Sequence, residues 1–255
     1  MSVYSHSKII SYETCPLRYK YAYIDKIKPE ADETAESFLG ARVHEALEKF
    51  YRNIGYGKLM TKKELLAFFR SQWLKSWPES IILVDENLSS ADFRKKGEAY
   101  LRDYYKRYKP FREGRVVDLE ITRFLPLDEK GEYEFYIRID RLMDIGNGLY
   151  EIHDYKTNTT LPTQEHLDKD PQLAMYSVWV RREFEDCQEV RLVWHFLAFD
   201  KEMRSSRTEE QLESLMQETL RKIKAIEEAK GFPARASSLC PWCLYKRSCA
   251  LNLLG

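Results

Sequence analysis

Charge of either sign is in no surplus. The 255 residues carry 41 Lys and Arg against 41 Asp and Glu, for a formal net charge of zero. Attraction to nucleic acid by bulk charge is thereby excluded, and any such surface must be a local patch. No apolar run approaches the ~20 residues needed to span a bilayer. The opening MSVYSHSKII has no charged leader followed by an apolar core, so it does not read as a secretory signal. Internal repeats, low-complexity segments and helicase motifs are missing too, so any unwinding must come from a partner. Cysteine is scarce and odd in number, at five. The expectation is a soluble, cytoplasmic protein whose reduced thiols serve a metal or a cluster more readily than disulfides.

What is present is patterned. SFLGARVHEALEKFYRN places Leu39, Val43, Ala46, Leu47 and Phe50 on one helical stripe. KKELLAFFRSQWLKSW is a second amphipathic helix, and ADFRKKGEAYLRDYYKRYKP a third, ended by Pro110. Strand-like alternation follows in GRVVDLEITRFLPL and GEYEFYIRIDRLMDI, with a GNG turn leading into LYEIHDYKT. These strands bring Glu120, Asp140 and Asp154 onto neighbouring antiparallel positions. PQLAMYSVWVRREF reads as a helix and EVRLVWHFLAF as a further strand. Thr208 and Gln211 spell a capping box for a last long helix, which Gly231 and Pro233 end. The expected fold is a single α/β domain over 1–255: a mainly helical part (1–110), a mostly antiparallel or mixed sheet with its flanking helix (111–204), and a helix with a cysteine-rich tail (205–255).

The segment LYEIHDYKTNTT concentrates the chemistry. Side chains alternate along a strand, so Asp154 and Lys156 emerge on one side, at the end of the apolar row Tyr150 and Ile152. Hard divalent cations take oxygen ligands, and carboxylates on adjacent strands supply them. Asp140, Asp154 and the Tyr155 backbone carbonyl can hold such an ion beside a phosphate, with Lys156 orienting water or stabilising the pentavalent phosphorus. An isolated Asp–Lys pair at a strand end is the bland alternative. His153 faces away from Asp154, and Glu120 either approaches the metal or is simply solvated.

The order of the short motifs changes the balance. His44 in GARVHEAL, Asp140 in RIDR, DYKT at 154–157, and Gln172 with Tyr176 in QLAMY run in the sequence of a PD-(D/E)XK nuclease of the RecB-like branch. The chain resembles this family over nearly its full length, although Ile139 stands where the strict motif has proline. The resemblance implies a restriction-endonuclease-like core and magnesium- or manganese-dependent hydrolysis of phosphodiester bonds. It makes His44 a metal ligand beside Asp140, Asp154 and Tyr155. Lys156 becomes the catalytic lysine, positioned with the metal water and scissile strand by Gln172 and Tyr176.

Cys240, Cys243 and Cys249 cluster in SSLCPWCLYKRSCALN, and Cys15 lies far away in SYETCPLRYKYAY. Four thiolates can hold a 4Fe-4S cluster or a tetrahedral zinc. One distant cysteine with three clustered ones is the arrangement of iron–sulfur nucleases similar to AddB and to the fourth CRISPR-associated (Cas) family, which favours the cluster over zinc. Such a cluster ties the chain ends together, as a clamp. Cys187 is left over as a reduced thiol.

CPLRYKYAYIDKIK mixes Arg18, Lys20 and further lysines with Tyr19, Tyr21 and Tyr23, a composition that can track single-stranded DNA by stacking and phosphate pairing. RDYYKRYKPFR is a second such patch, and in both cases an ordinary amphipathic helix is the competing reading. Two functions stand side by side. One is a metal-dependent DNA exonuclease acting on single-stranded ends, in CRISPR adaptation or in recombination and repair, with CRISPR adaptation proteins or a helicase as partners. The other is a non-catalytic iron–sulfur subunit that binds nucleic acid within a larger complex. The presence of His44, Asp154 and Lys156 favours the enzyme.

Overall fold

The computed structural model describes residues 1–249 and 251. The chain runs through β1 (Ser2–Ser5), α1 (His6–Thr14), α2 (Pro16–Tyr19), a π-helical turn (Lys20–Ile24), β2 (Glu33–Thr34), α3 (Ala35–Gly55), α4 (Lys62–Ser76), β3 (Ile81–Ile82) and α5 (Ser90–Tyr108). It continues through β4 (Arg115–Pro126), β5 (Tyr133–Gly146), β6 (Leu149–Lys156), α6 (Gln164–Leu167), α7 (Pro171–Glu183), β7 (Glu189–Phe196), β8 (Lys201–Ser205) and α8 (Glu209–Glu227).

Local chemistry starts the long helices. Thr34 with Ser37, Thr61 with Glu64, Ser89 with Asp92 and Thr208 with Gln211 form reciprocal capping boxes at α3, α4, α5 and α8. Each satisfies amides that the first helical turn leaves unpaired. The end of α8 departs from expectation: the helix stops at Glu227, before Gly231 is reached. Its last buried side chain is Ile226, and the next anchor on the core is Phe232, which packs against Tyr12 and Tyr19 from the non-helical segment that follows.

The sheet is mixed and six-stranded, in the order β1-β5-β6-β7-β8 with β4 pairing β5. The β4–β5, β5–β6 and β7–β8 pairs are antiparallel, while β1–β5 and β6–β7 are parallel. Each face carries its own core. On one, Ile137, Ile152 and Leu192 meet α7 and α8. Helix α7 is buried on nearly every side, from Leu173 to Val180, because it is sandwiched between sheet and α8. On the other face α3, α4 and α5 pack together over Leu119 and Tyr155. The expected stripe of α3, with Leu39, Val43, Ala46, Leu47 and Phe50, is buried there.

Candidate active site

β4, β5 and β6 lie side by side and carry Glu120, Asp140 and Asp154, as the alternation predicted. The β4–β5 register steps from Leu119↔Arg141 to Ile121↔Ile139, leaving Glu120 and Asp140 between ladder pairs. Glu120 takes the left-handed backbone region, with φ 50°. A non-glycine residue there costs roughly 1–3 kcal/mol, and such outliers gather at functional sites. Helix α3 then lays His44 against these strands.

His44, Glu120 and Asp140 each place a ligand atom within 4.8 Å of the other two. His44 Nε2 donates to the Tyr155 carbonyl at 2.7 Å, and its Nδ1 lies 3.4 Å from Asp140 Oδ2. That same Oδ2 accepts the Tyr155 backbone N–H at 3.0 Å. Burial by itself would lower the His44 pKa, but Asp140 beside it outweighs burial and lifts it to about 9. Asp140, which burial would raise, is held below the usual carboxylate range by the His44 charge. The protonated ring bridges the Asp140 carboxylate and the Tyr155 carbonyl, and a metal ligated by His44 would have to displace that proton and free the carbonyl.

Asp154 behaves in the opposite way. Burial raises its pKa, Lys156 offsets only part of the rise, and Asp140 adds to it. Lys156 Nζ lies 2.8 Å from Asp154 Oδ2, a charge-assisted contact that is this buried oxygen's only partner among the described residues. Lys156 also donates to Gln172 Oε1 at 3.0 Å, and Gln172 Nε2 reaches the Tyr176 hydroxyl at 3.4 Å. Gln172 and Tyr176 share one face of α7 and set the lysine from behind. The Lys156 side chain keeps 32% of its surface exposed, so its ammonium faces an open cleft.

All of these groups line one cleft of about 640 Å³, so the structure brings together His44, Asp140, Asp154, Tyr155, Lys156, Gln172 and Tyr176. The donor set suits a hard divalent cation: the His44 imidazole with Glu120 and Asp140 oxygens within reach of one another, the Tyr155 carbonyl, and Asp154, which lines the same cleft outside that 4.8 Å group. Glu120 is a closer neighbour of His44 and Asp140 than expected. Its other contacts are to Arg138, whose Nε and terminal nitrogen approach Oε2 at 3.0 and 2.8 Å. Arg138, paired with Glu120, and Arg42, paired with Glu45 at 3.1 Å, line the cleft and were not singled out from the sequence, although Arg138 stands two residues before Asp140 on β5. Ser5, His6 and Ser7, where β1 meets α1, form another part of the wall and had no signal of their own.

The cysteines converge elsewhere. Cys15, Cys240, Cys243 and Cys249 line a cleft of about 280 Å³ formed where the tail returns to α1 and α2. Backbone bonds hold the return: Leu17 N–H to Pro233 O at 3.3 Å and Glu30 N–H to Leu244 O at 3.0 Å. The Arg235 and Ser237 amides point at Cys15 Sγ and Cys240 Sγ, at 3.5 and 3.4 Å. Among the described residues, no three of the sulfurs lie within 4.8 Å of one another. Cys187 lies apart and contacts Glu189 O.

The basic and aromatic residues expected to touch DNA are placed with this tail rather than in the carboxylate cleft. Arg18 Nε donates to Ser11 Oγ and lines the cysteine cleft. Lys20 pairs with Asp25 at 3.1 Å, and the Tyr21 hydroxyl donates to Ser248 O at 2.9 Å.

A family model of the PD-(D/E)XK nuclease superfamily matches residues 3–250. Among solved structures, a crystal structure of a "putative exonuclease" from Eubacterium rectale aligns with a TM-score of 0.54 at 12% identity, covering 98% of this chain and 87% of that one. At that identity the likeness speaks for the fold alone. The crystal structure of SSO0001 covers the same shares at 14% identity, with a TM-score of 0.40 that supports no further statement. No curated protein matches the chain.

Proposed function

The chain belongs to the PD-(D/E)XK nuclease superfamily, and from that premise we propose that it is a metal-dependent DNA exonuclease acting on single-stranded ends. One observation carries the reading: His44, Asp140, Asp154 and Lys156 meet in a single open cleft, with Lys156 paired to Asp154 at 2.8 Å. Asp140, Asp154, His44 and the Tyr155 carbonyl, with Glu120 alongside, would hold magnesium or manganese, which would supply Lewis acidity at a phosphate. Lys156, fixed by Gln172, presents a positive charge to the phosphate oxygens and orients the attacking water. Arg138 and Arg42 in the cleft wall meet the approaching backbone. Neither Lys156 nor Asp154 serves as a nucleophile, so hydrolysis proceeds without a covalent intermediate. The whole chain works as one nuclease domain.

We assign the four thiols to a 4Fe-4S cluster. The donor set is right, and two backbone amides already point at the sulfurs. Four sulfurs on one zinc ion sit ~3.8 Å apart, as Zn–S bonds of ≈ 2.3 Å require. Among the described residues no three of these sulfurs come within 4.8 Å of one another, so that spacing is not the one they hold. The test of the function is cleavage of end-labelled single-stranded DNA with magnesium or manganese. EDTA must stop it and an unblocked end must be required. Cutting of closed circular single strands at the same rate would overturn the exonuclease assignment.

A further inference from the structure

Across the sheet from the carboxylate cleft lies a second cavity, of about 490 Å³, between the end of α3, the end of α5 and strands β4 to β6. Its volume falls in the range of small-ligand sites. Arg141 forms part of its lining and is only 3% exposed. A guanidinium does not lose its charge in a protein, and burying one without a counter-ion is expensive. Among the described residues no carboxylate pairs with Arg141. Its partners are neutral: the Tyr104 hydroxyl at 3.2 Å, His153 Nδ1 at 2.7 Å, and the face of Tyr51, 3.8 Å from the guanidinium carbon. Its Nε is buried with no partner. Of the nearby acids, Glu151 and Glu202 are engaged by Arg204 at 2.9 and 2.6 Å, and Glu113, an exposed carboxylate of the cavity wall, makes no ion pair with Arg141.

A cavity that ends on an uncompensated buried cation selects an anion. The remaining wall adds two features. Tyr108 and Phe111 offer aromatic surface for a flat ring, while Arg115 is paired with Asp144 at 2.9 Å, so Arg141 is the cation left for the anion. We propose that this cavity binds a small phosphate-bearing ligand of the nucleoside monophosphate class, with Arg141 as the anchor for the phosphate. An exonuclease releases such compounds, a link that rests on the function proposed above, whereas the binding itself does not. Tyr155 joins the two sites: its ring lies against His195, which bonds His153, while its carbonyl and amide contact His44 and Asp140.

Thermal unfolding in EDTA measures binding without turnover, so a failure here is separate from a failure of the nuclease reading. The probes are dAMP, inorganic phosphate and adenosine. At a hundredfold excess over Kd, dAMP should raise Tm by about 5–10 °C for a chain of this size. An equal shift with phosphate would assign recognition to the phosphate alone, a smaller one would assign part of it to the nucleoside, and adenosine should give none. Arg141→Met should remove the shift. Because that variant alters a buried network, Gly55→Trp is the second arm. Gly55 lines the cavity and a Cβ there meets nothing within 4 Å, so a large side chain is added at the wall without displacing backbone. Loss of the shift in Gly55→Trp, with the shift kept in Lys156→Ala, supports the site. No shift with dAMP or phosphate in the wild type overturns the proposal, and so does a shift that survives Gly55→Trp.

Discussion

Replacing Lys156 with Met keeps the length of the side chain and removes its charge. Two quantities should change. The first is turnover. Lys156 is the cation held by Gln172 at 3.0 Å and aimed into the cleft, and loss of one such preorganised group costs about 10²–10³-fold in kcat. The second is stability. The ion pair with Asp154 is 2.8 Å long, but a third of the lysine side chain is in solvent. Its removal therefore falls between an exposed pair and a fully buried one, at about 1–3 kcal/mol, or roughly 2–10 °C in Tm for a chain of this size. Asp154 sets the pH dependence. Burial raises its pKa in the folded protein even with Lys156 present, and loss of the cation raises it further. A folded pKa above the unfolded one gives stability that is complete below the unfolded pKa and lost as pH rises through the folded pKa. The deficit of Lys156→Met relative to the wild type should therefore be small near pH 4 and grow towards neutrality. Single-turnover cleavage of end-labelled DNA and denaturant melts across pH read both quantities. Wild-type turnover in a folded variant would refute the catalytic role, and a deficit that shrinks with rising pH would refute the electrostatic account.

Three further outcomes are expected. Manganese or magnesium at a hundredfold excess over Kd should raise Tm by about 5–10 °C, and Asp140→Asn should abolish the rise; an equal rise in that variant would move the metal elsewhere. Anaerobically purified protein should be brown, with broad absorbance near ~400 nm. Serine at Cys15, Cys240, Cys243 or Cys249 should bleach it and lower its stability, while Cys187→Ser keeps the colour; one zinc per chain without iron would overturn the cluster. Burial, with Arg141 adding to the effect, holds His153 and His195 well below the ordinary histidine pKa. Both stay neutral in the fold but take protons when unfolded below about pH 6.5. Stability should fall with acidification through this window at up to about 2.7 kcal/mol per pH unit, and a flat profile between pH 5 and 6.5 would refute this.

Much of this was legible because periodicity reports burial. The α3 stripe, the β4–β6 alternation and the Thr208 cap each follow from short-range rules that tertiary packing reinforces. Four strands escaped. β2 and β3, two residues each, form a small sheet of their own. In the main sheet, β1 is four residues long and β8 reads KEMRS. Both lie at sheet edges, where strands are kept short and polar and so carry little alternation. The proximity of Glu120 to His44 was also out of reach, since it depends on a left-handed residue and a break in the ladder. Arg18, Lys20 and Tyr21 show the converse limit. A basic and aromatic composition fits a DNA track, but here those side chains meet Ser11, Asp25 and Ser248. Composition gives no count of the partners already inside the chain.

The alternation that exposed Asp154 and Lys156 also explains why the opposite face of β6 is polar. An ordinary half-buried strand pairs an apolar face with a solvated one. β6 has no solvated face, because helices cover both sides of the sheet, and it is buried from Tyr150 to Tyr155. Its polar residues must then be satisfied internally. On one side Asp154 meets Lys156. On the other, His153 meets Arg141 and His195, and Glu151 meets Arg204. Charges buried on both faces of one strand are costly to fold, and hydrophobic residues of the same volume would be stabilising or neutral. The Asp154 face repays that cost through an open cleft where a cation and a phosphate can enter. The Arg141 face has a cavity of its own and a guanidinium lacking a carboxylate, so the same reasoning assigns it a ligand.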